Sequence, residues 1–322
     1  MAAAMGRARL GRTNLDVSVA SIGTGGFSRL GQEYGATAAQ SVRVLRAALD
    51  EGIDFIDTAA DYRTEEIVAE AVAGRRDSVV ISTKNQVYRR SAAPAGDELI
   101  TAGEFRELVD GNLRRLGTDY IDVFYLHGVC PNQYRQCADA FVPEMIRMRE
   151  QGKIRFLAIS ERFFVDPGHQ MLQLALHDDV FDVVMVGFNF VNQTALTRVL
   201  PYTKARDIGT QCMYAVRRRL ATPERAQALI DELAAAGEVD PADLDPGRPL
   251  GFLLDDPSVR SLADACYRFN RHAPGADVIL TSTGRVEHLR DNVASINSGP
   301  LPGPVLERLH KIFGRVESFT AE

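Results

Sequence analysis

Residues 121–127 read Ile121-Asp122-Val123-Phe124-Tyr125-Leu126-His127. The run is short, apolar and rich in β-branched and aromatic side chains, as buried parallel strands are, and it ends on an ionisable residue. The same pattern recurs at Phe55-Ile56-Asp57, Val79-Val80-Ile81-Ser82, Phe156-Leu157-Ala158-Ile159, Val183-Val184-Met185-Val186 and Val278-Ile279-Leu280. Two weaker runs are Val19-Ala20-Ser21-Ile22, ahead of Gly23-Thr24-Gly25-Gly26, and Ile208 to Tyr214, bringing the candidate strands to eight.

Stretches with helical periodicity lie between them. Ala38 to Leu49 sets Val42, Leu45, Ala48 and Leu49 on one face. Phe105 to Leu116 groups Leu108, Val109, Leu113 and Leu116, and Phe141 to Met148 follows the same rule. Repeated strand-helix alternation predicts an α/β fold with a parallel sheet and right-handed crossovers. Eight units point to closure into a (β/α)₈ TIM barrel, and periodicity alone leaves an open doubly wound sheet as the alternative.

Two segments break the alternation. Residues 6–17 read as an N-terminal β-hairpin turning at Gly11-Arg12-Thr13-Asn14, placed to plug the barrel bottom. Residues 217–257, after the seventh strand, form a long insertion rich in Pro, Gly, Ala and Asp. Within it Thr222 to Ala236 reads as a helix with Thr222 as N-cap and Pro223 at the first helical position. The chain of 322 residues fits one barrel domain, 1–322, since such barrels take about 250 residues before insertions.

Composition narrows the function. Apolar residues are 45% and charged residues 25%, ordinary for a soluble globular protein. The formal charge of −6 and the absence of a long basic run argue against nucleic acid. The start lacks the apolar stretch of a signal peptide and no run is long enough for a membrane span. Cys130, Cys137, Cys212 and Cys266 form no C-x-x-C pair and are read as reduced thiols. The expectation is a cytoplasmic protein.

In a (β/α)₈ barrel the chemistry sits at the carboxyl ends of the strands. Asp57, Lys84 and His127 close the second, third and fourth runs, and Tyr62 follows Asp57 by five residues. A charge at a buried strand end is costly unless paired, and Asp57 and Lys84 have opposite sign. The plain alternative is a structural ion pair beside a strand-capping histidine. As a chemical set the four do more. Asp57 would hold Lys84, and the Lys84 ammonium would lower the pKa of Tyr62. His127 would orient a carbonyl oxygen, and Tyr62 would give it a proton as hydride reaches the carbon. Competing chemistries lack their residues. There is no H-E-x-x-H, H-x-H, G-x-S-x-G or P-loop, and the six histidines show no metal-ligand spacing.

These residues resemble the aldo-keto reductase superfamily over residues 6–215 and 278–295. Asp57-Thr58-Ala59 with Tyr62, Ser82-Thr83-Lys84 and Tyr125-Leu126-His127 look like its catalytic tetrad. Gly152-Lys153-Ile154-Arg155 leading to Ala158-Ile159-Ser160, and Thr281-Ser282-Thr283-Gly284 through Glu287-His288-Leu289 to Asn292, are similar to its cofactor-side segments. The resemblance implies reduction of an aldehyde or ketone, or the reverse, with an extended nicotinamide dinucleotide and no metal. It implies Gly25, Gly26, Ser160, Glu161, Tyr214, Thr283, Gly284, Arg285, Asp291 and Asn292 as cofactor-site residues. Arg285, before a predicted helix over 286–295, would take a 2′-phosphate, which favours NADP(H) over NAD(H). Three positions depart from the family pattern: Glu161 stands for a common Asn, Met185 for a Gln, and His288 for an Arg. A carboxylate at Glu161 would still accept the N–H of a carboxamide.

Two other classes stay open: a cofactor-binding barrel that senses redox state or regulates a partner with little turnover, and a non-redox barrel hydrolase or lyase. The substrate pocket is expected from loops 27–35, 85–100, 128–136 and 217–257, with Arg89, Arg90, Arg217 and Arg218 as candidate contacts for an acidic group or as solvent-facing charges. The partner is expected to be a small carbonyl or alcohol. Oligomeric state is not readable.

Overall fold

A computed structural model describes residues 4–89 and 98–320. It begins with a hairpin of β1 (Arg7–Arg9) and β2 (Asp16–Ser18), antiparallel and joined through a tight turn at Gly11–Thr13. The following strands are β3 (Ala20–Gly23), β4 (Phe55–Asp57), β5 (Val80–Asn85), β6 (Tyr88–Arg89), β7 (Glu98–Leu99), β8 (Ile121–Val129), β9 (Ile154–Glu161), β10 (Val183–Gly187), β11 (Gly209–Met213) and β12 (Val278–Thr281). β3, β4, β5, β8, β9, β10, β11 and β12 are parallel and close into a barrel, β12 pairing back onto β3. Closure removes the open-sheet alternative. The short antiparallel pair β6–β7 rises from the loop after β5 and was not expected from the sequence.

Successive residues of a strand face opposite sides, and this alternation sorts the barrel. Phe55, Val123, Tyr125, Ala158, Val183, Met185, Met213 and Val278 fill its interior. Ile56, Ile81, Phe124, Leu157, Ile159, Val184 and Ile279 pack outward against the helices. The hairpin contributes Leu10 and Val17 to the interior set, both fully buried, so it does plug one end. Midway up, the interior is polar. Tyr125 donates to Gln211 Oε1 (2.9 Å), and Gln211 Nε2 donates to Ser21 Oγ (2.8 Å), a chain spanning from β8 to β3.

The helices begin where local chemistry starts them. Thr37 and Thr101 form capping boxes with Gln40 and Glu104 at the heads of Ala38–Asp50 and Ala102–Leu116. Thr222 caps Pro223–Ala235, its side chain accepting from the Arg225 N–H. The helix read over Phe141 to Met148 runs Tyr134–Glu150, because Tyr134, Cys137 and Ala138 extend the buried stripe and Pro143 is accommodated inside it. The stretch 217–257 is ordered by its own core contacts: Ala226, Leu229, Ile230 and Leu233 from its helix and Leu253 beyond join the outer core. No helix among the described residues is long and apolar enough to cross a membrane.

The plug makes a stability prediction. Leu10→Ala, at a fully buried position, should lower the unfolding free energy in a urea titration by about 2–5 kcal/mol. A loss near zero would mean that the hairpin is not part of the barrel core.

Candidate active site

The interior register carries three ionisable groups to the upper mouth. Asp57 lies on the interior side of β4 with Phe55, Lys84 on that of β5 with Ser82, and His127 on that of β8 with Val123 and Tyr125. Lys84 Nζ donates to both Asp57 oxygens (2.6 and 2.7 Å) and to the Thr58 carbonyl (2.9 Å). Ser82 Oγ donates to Asp57 as well (2.8 Å). Both charges are almost fully buried, so each requires the other. Next to Lys84, Thr83 is fixed from outside by Glu65, which also takes Asn112 and Arg115.

Tyr62 ends a short 3₁₀ turn, Ala60–Tyr62, directly after β4. The turn is pinned by a cluster of hydroxyls: Thr24 meets Thr58 (2.9 Å) and Thr64 (2.7 Å), linking the loops after β3 and β4. Arg29 Nε donates to the Tyr62 carbonyl (2.9 Å). The phenol ring meets His127 edge-on, with centroids 5.9 Å apart, and lies 5.2 Å from the Lys84 ammonium. Gly25 is required here, since a methyl group on it would overlap the Tyr62 ring. Asp57, Tyr62, Lys84 and His127 therefore do converge.

The electrostatics differ from the sequence expectation in one respect. Tyr62 is held well above the usual phenol value, not below it, because burial disfavours the phenolate and the Asp57 carboxylate adds to that. Arg217 pulls in the opposite direction. The Lys84 charge is spent on Asp57, and burial lowers the pKa of Lys84 against the pull of Asp57. Tyr62 thus stands as a neutral phenol, ready to donate.

Tyr62, Lys84, His127, Ser160, Met185 and Tyr214 line one cavity of about 770 Å³ at this mouth. Ser160 faces it from β9, and its Oγ accepts from the Gly128 N–H (2.9 Å). Tyr214, in a left-handed conformation (φ 69°), stacks on Phe163 (centroids 5.9 Å apart). Gly26 is exposed, with positive φ and open space where a side chain would stand.

Glu161 departs from its expected place. Although its residue borders the cavity, its carboxylate is fully buried in a different network. It meets His169 Nδ1 (2.9 Å) and accepts from the Gly187 N–H (2.7 Å). Ser160 takes the interior register of β9, so the next residue turns toward the outer layer. Burial raises the Glu161 pKa against the pull of His169. No oxygen of Glu161 is left facing a ligand.

The remaining expected residues gather beyond β12, outside the cavity. Thr283 Oγ1 accepts from the Arg285 N–H (3.2 Å), and Arg285 is the exposed N-cap residue of the helix Val286–Ile296. Asn292 donates to Thr281 (2.9 Å) and so braces β12, and Asp291 is exposed. Gly284 serves a contact between loops: a Cβ there would lie 2.5 Å from the Gly31 backbone. Of the arginines named for an acidic group, Arg89 pairs with Glu104, Arg218 stacks on Phe27 (3.5 Å), and Arg90 lies outside the described residues. Arg63 and Arg162, which line the cavity, were missed. Their only sequence signal was position, directly after Tyr62 and Glu161.

The chain matches the family model described as "Aldo/keto reductase family" over residues 21–313. It is 28% identical over 287 residues to the aldo-keto reductase YhdN of Bacillus subtilis, covering 82% of this chain and 81% of that protein. In structure it is similar to the aldo-keto reductase AKR11C1 from Bacillus halodurans in its holo form, with a TM-score of 0.71 at 20% identity, covering 95% and 96% of the two chains. It is also similar to an aldo-keto reductase from Klebsiella pneumoniae in complex with NADPH, with a TM-score of 0.66 at 22% identity and 99% coverage of both chains.

The raised phenol predicts its own titration. A near-ultraviolet difference titration of the protein against Tyr62→Phe should show no Tyr62 phenolate until well above pH 10.0. Because the folded value lies above the unfolded one, the stability this group contributes is complete below pH 10.0 and is lost as pH rises through the folded value. A phenolate appearing near neutrality would contradict the assignment. From the family match across most of its length, the chain belongs to the aldo/keto reductase family and is an NAD(P)H-dependent oxidoreductase.

Proposed function

We propose that the protein reduces an aldehyde or ketone to the alcohol, or runs the reverse, with Tyr62 as the general acid and base. The observation that carries this is the convergence of a neutral, half-buried Tyr62 with His127 and the Asp57–Lys84 pair at the mouth of one cavity.

The residues fit a nicotinamide dinucleotide. Ser160 and Tyr214 would hold its nicotinamide end in the cavity, and the bare Gly26 backbone leaves room for a close approach. Thr283, Arg285 and the start of the helix Val286–Ile296, which has no side-chain cap, suit its adenosine phosphate. When bound, the cofactor supplies or accepts a hydride. His127 hydrogen-bonds the carbonyl oxygen and orients it. As the carbon gains the hydride, that oxygen becomes strongly basic and takes the Tyr62 proton. The Lys84 ammonium, 5.2 Å from the ring centroid and held there by Asp57, would offset only part of the charge on the phenolate left behind, since Asp57 already claims most of the ammonium's own. Arg285 supports NADPH as the preferred cofactor, and the four cysteines, all buried and free, suit a reducing compartment such as the cytoplasm.

The turn of the Glu161 carboxylate away from the cavity and the apolar Met185 on the cavity wall favour a second reading, a barrel that binds the cofactor with little turnover. Tyr62→Phe separates the two. It should lower carbonyl reduction by about 10²–10⁴-fold while NADPH binding by fluorescence is retained. A native protein that binds NADPH yet turns over no carbonyl would favour the second reading. In a competition between the two cofactors, Arg285→Ala should erase about tenfold of the preference for NADPH over NADH. An unchanged ratio would remove Arg285 from the phosphate site.

A further inference from the structure

We infer that Glu161 and His169 are positioning residues for the cofactor: through the ring of Phe163 they set the placement of Tyr214, the part of the cavity wall that receives the nicotinamide end. The inference rests on the reductase reading above and gives its cofactor site a support outside the cavity.

The support starts from a buried pair. Glu161 closes β9, and His169 is the N-cap residue of the helix Gln170–Asp178. Both side chains are fully buried. His169 Nδ1 lies 3.0 and 2.9 Å from the two Glu161 oxygens, and the Gly187 N–H at the end of β10 donates to Glu161 (2.7 Å). A buried pair of this kind adds little to stability over apolar side chains of the same volume, so stability alone does not account for it. What the bonds do fix is the plane of the imidazole. His169 also takes a left-handed backbone (φ 59°), which its Cβ makes costly and the bonded side chain helps to hold.

Stacking passes that plane on. The rings of His169 and Phe163 lie 17° from parallel with centroids 5.5 Å apart, and those of Phe163 and Tyr214 lie 27° from parallel with centroids 5.9 Å apart. Phe163 is fully buried in the barrel interior with Met185 and Met213. Gly187 serves both ends of the arrangement. Its N–H holds Glu161, and its missing side chain admits the ring, since a Cβ there would lie 2.3 Å from Phe163. Tyr214, directly after β11, has a left-handed backbone (φ 69°) and keeps its place only if its surroundings hold it. Phe164, which is exposed, and Arg217 touch the same ring, and Phe163 ties it to the barrel interior. Tyr214 lines the cavity with Tyr62 and acts on its pKa, so a shift of the stacked column reaches the reacting end of the site.

The test uses the full-length protein and reads the dissociation constant for NADPH from the emission of the cofactor, beside the thermal midpoint of the cofactor-free protein. Phe163→Leu leaves the buried pair in place and removes the stack, and it should weaken NADPH binding by about three- to tenfold. Glu161→Ala frees the imidazole and should weaken binding to a similar extent. Glu161→Gln, whose amide still accepts from Gly187 and donates to His169, should recover the binding that alanine loses. In the double variant of Glu161→Ala with Phe163→Leu the loss should be no greater than in Phe163→Leu alone, because the pair acts through that ring. In turnover the loss should appear in the KM for NADPH and not in the KM for the carbonyl. Native NADPH affinity in Phe163→Leu overturns the inference, and does so even where Glu161→Ala fails to fold. Additive losses in the double variant overturn it as well. So does a lowered thermal midpoint in Glu161→Ala with NADPH affinity unchanged, which would make the pair structural only. Failure of the native protein to bind NADPH overturns the reductase reading, and this inference with it.

Discussion

The site depends on one buried ion pair. Lys84 and Asp57 lie at the upper end of the barrel with almost no exposure, bonded through both carboxylate oxygens. Losing either partner would strand the other charge in the interior, at a cost on the order of 3–5 kcal/mol. The pair also fixes the strand ends that carry it. β4 must present Asp57, level with Ser82 of β5, and β5 must present Lys84 two residues further on and on the same side, so that its long side chain reaches the carboxylate. The tyrosine turn follows from that placement, since it starts three residues after Asp57 and the carbonyl of the intervening Thr58 is a third acceptor for Lys84.

Strand alternation then decides which neighbour reaches the cavity. On β8 it puts Val123, Tyr125 and His127 inside and Phe124 and Leu126 outside. On β9 it gives the cavity Ser160 and denies it the carboxylate of Glu161, which is absorbed by His169. The Glu161 carboxylate, fully buried, therefore presents no exposed charge to the cavity.

Much of this was legible in the sequence, for definite reasons. All eight barrel strands and the plugging hairpin were visible, because β-branched runs between helical stretches have few other uses. Asp57, Lys84 and His127 were visible because each ends an apolar run, where a charge is expensive and therefore conspicuous. What was not legible depends on distance in space. Nothing near residue 161 announces that His169, eight residues on, will take its carboxylate. Gly25 resembled a cofactor glycine, and its tight constraint is the ring of Tyr62. The pKa of Tyr62 was read with the wrong sign because strand-end positions imply a lysine near the tyrosine but do not show the desolvation of the phenol or the prior claim of Asp57 on the lysine.

The most direct test of the account is a titration of the folded protein into NADPH and, separately, into NADH, following the emission of the cofactor itself. The chain has no tryptophan, so energy transfer from protein to cofactor is weak and direct cofactor emission is the better signal. Saturable binding, tighter for NADPH, is the predicted result. Failure of the folded protein to bind either cofactor would contradict the central claim, and would mean that the turned Glu161 and the apolar Met185 have closed the site to a nicotinamide despite the intact constellation around Tyr62.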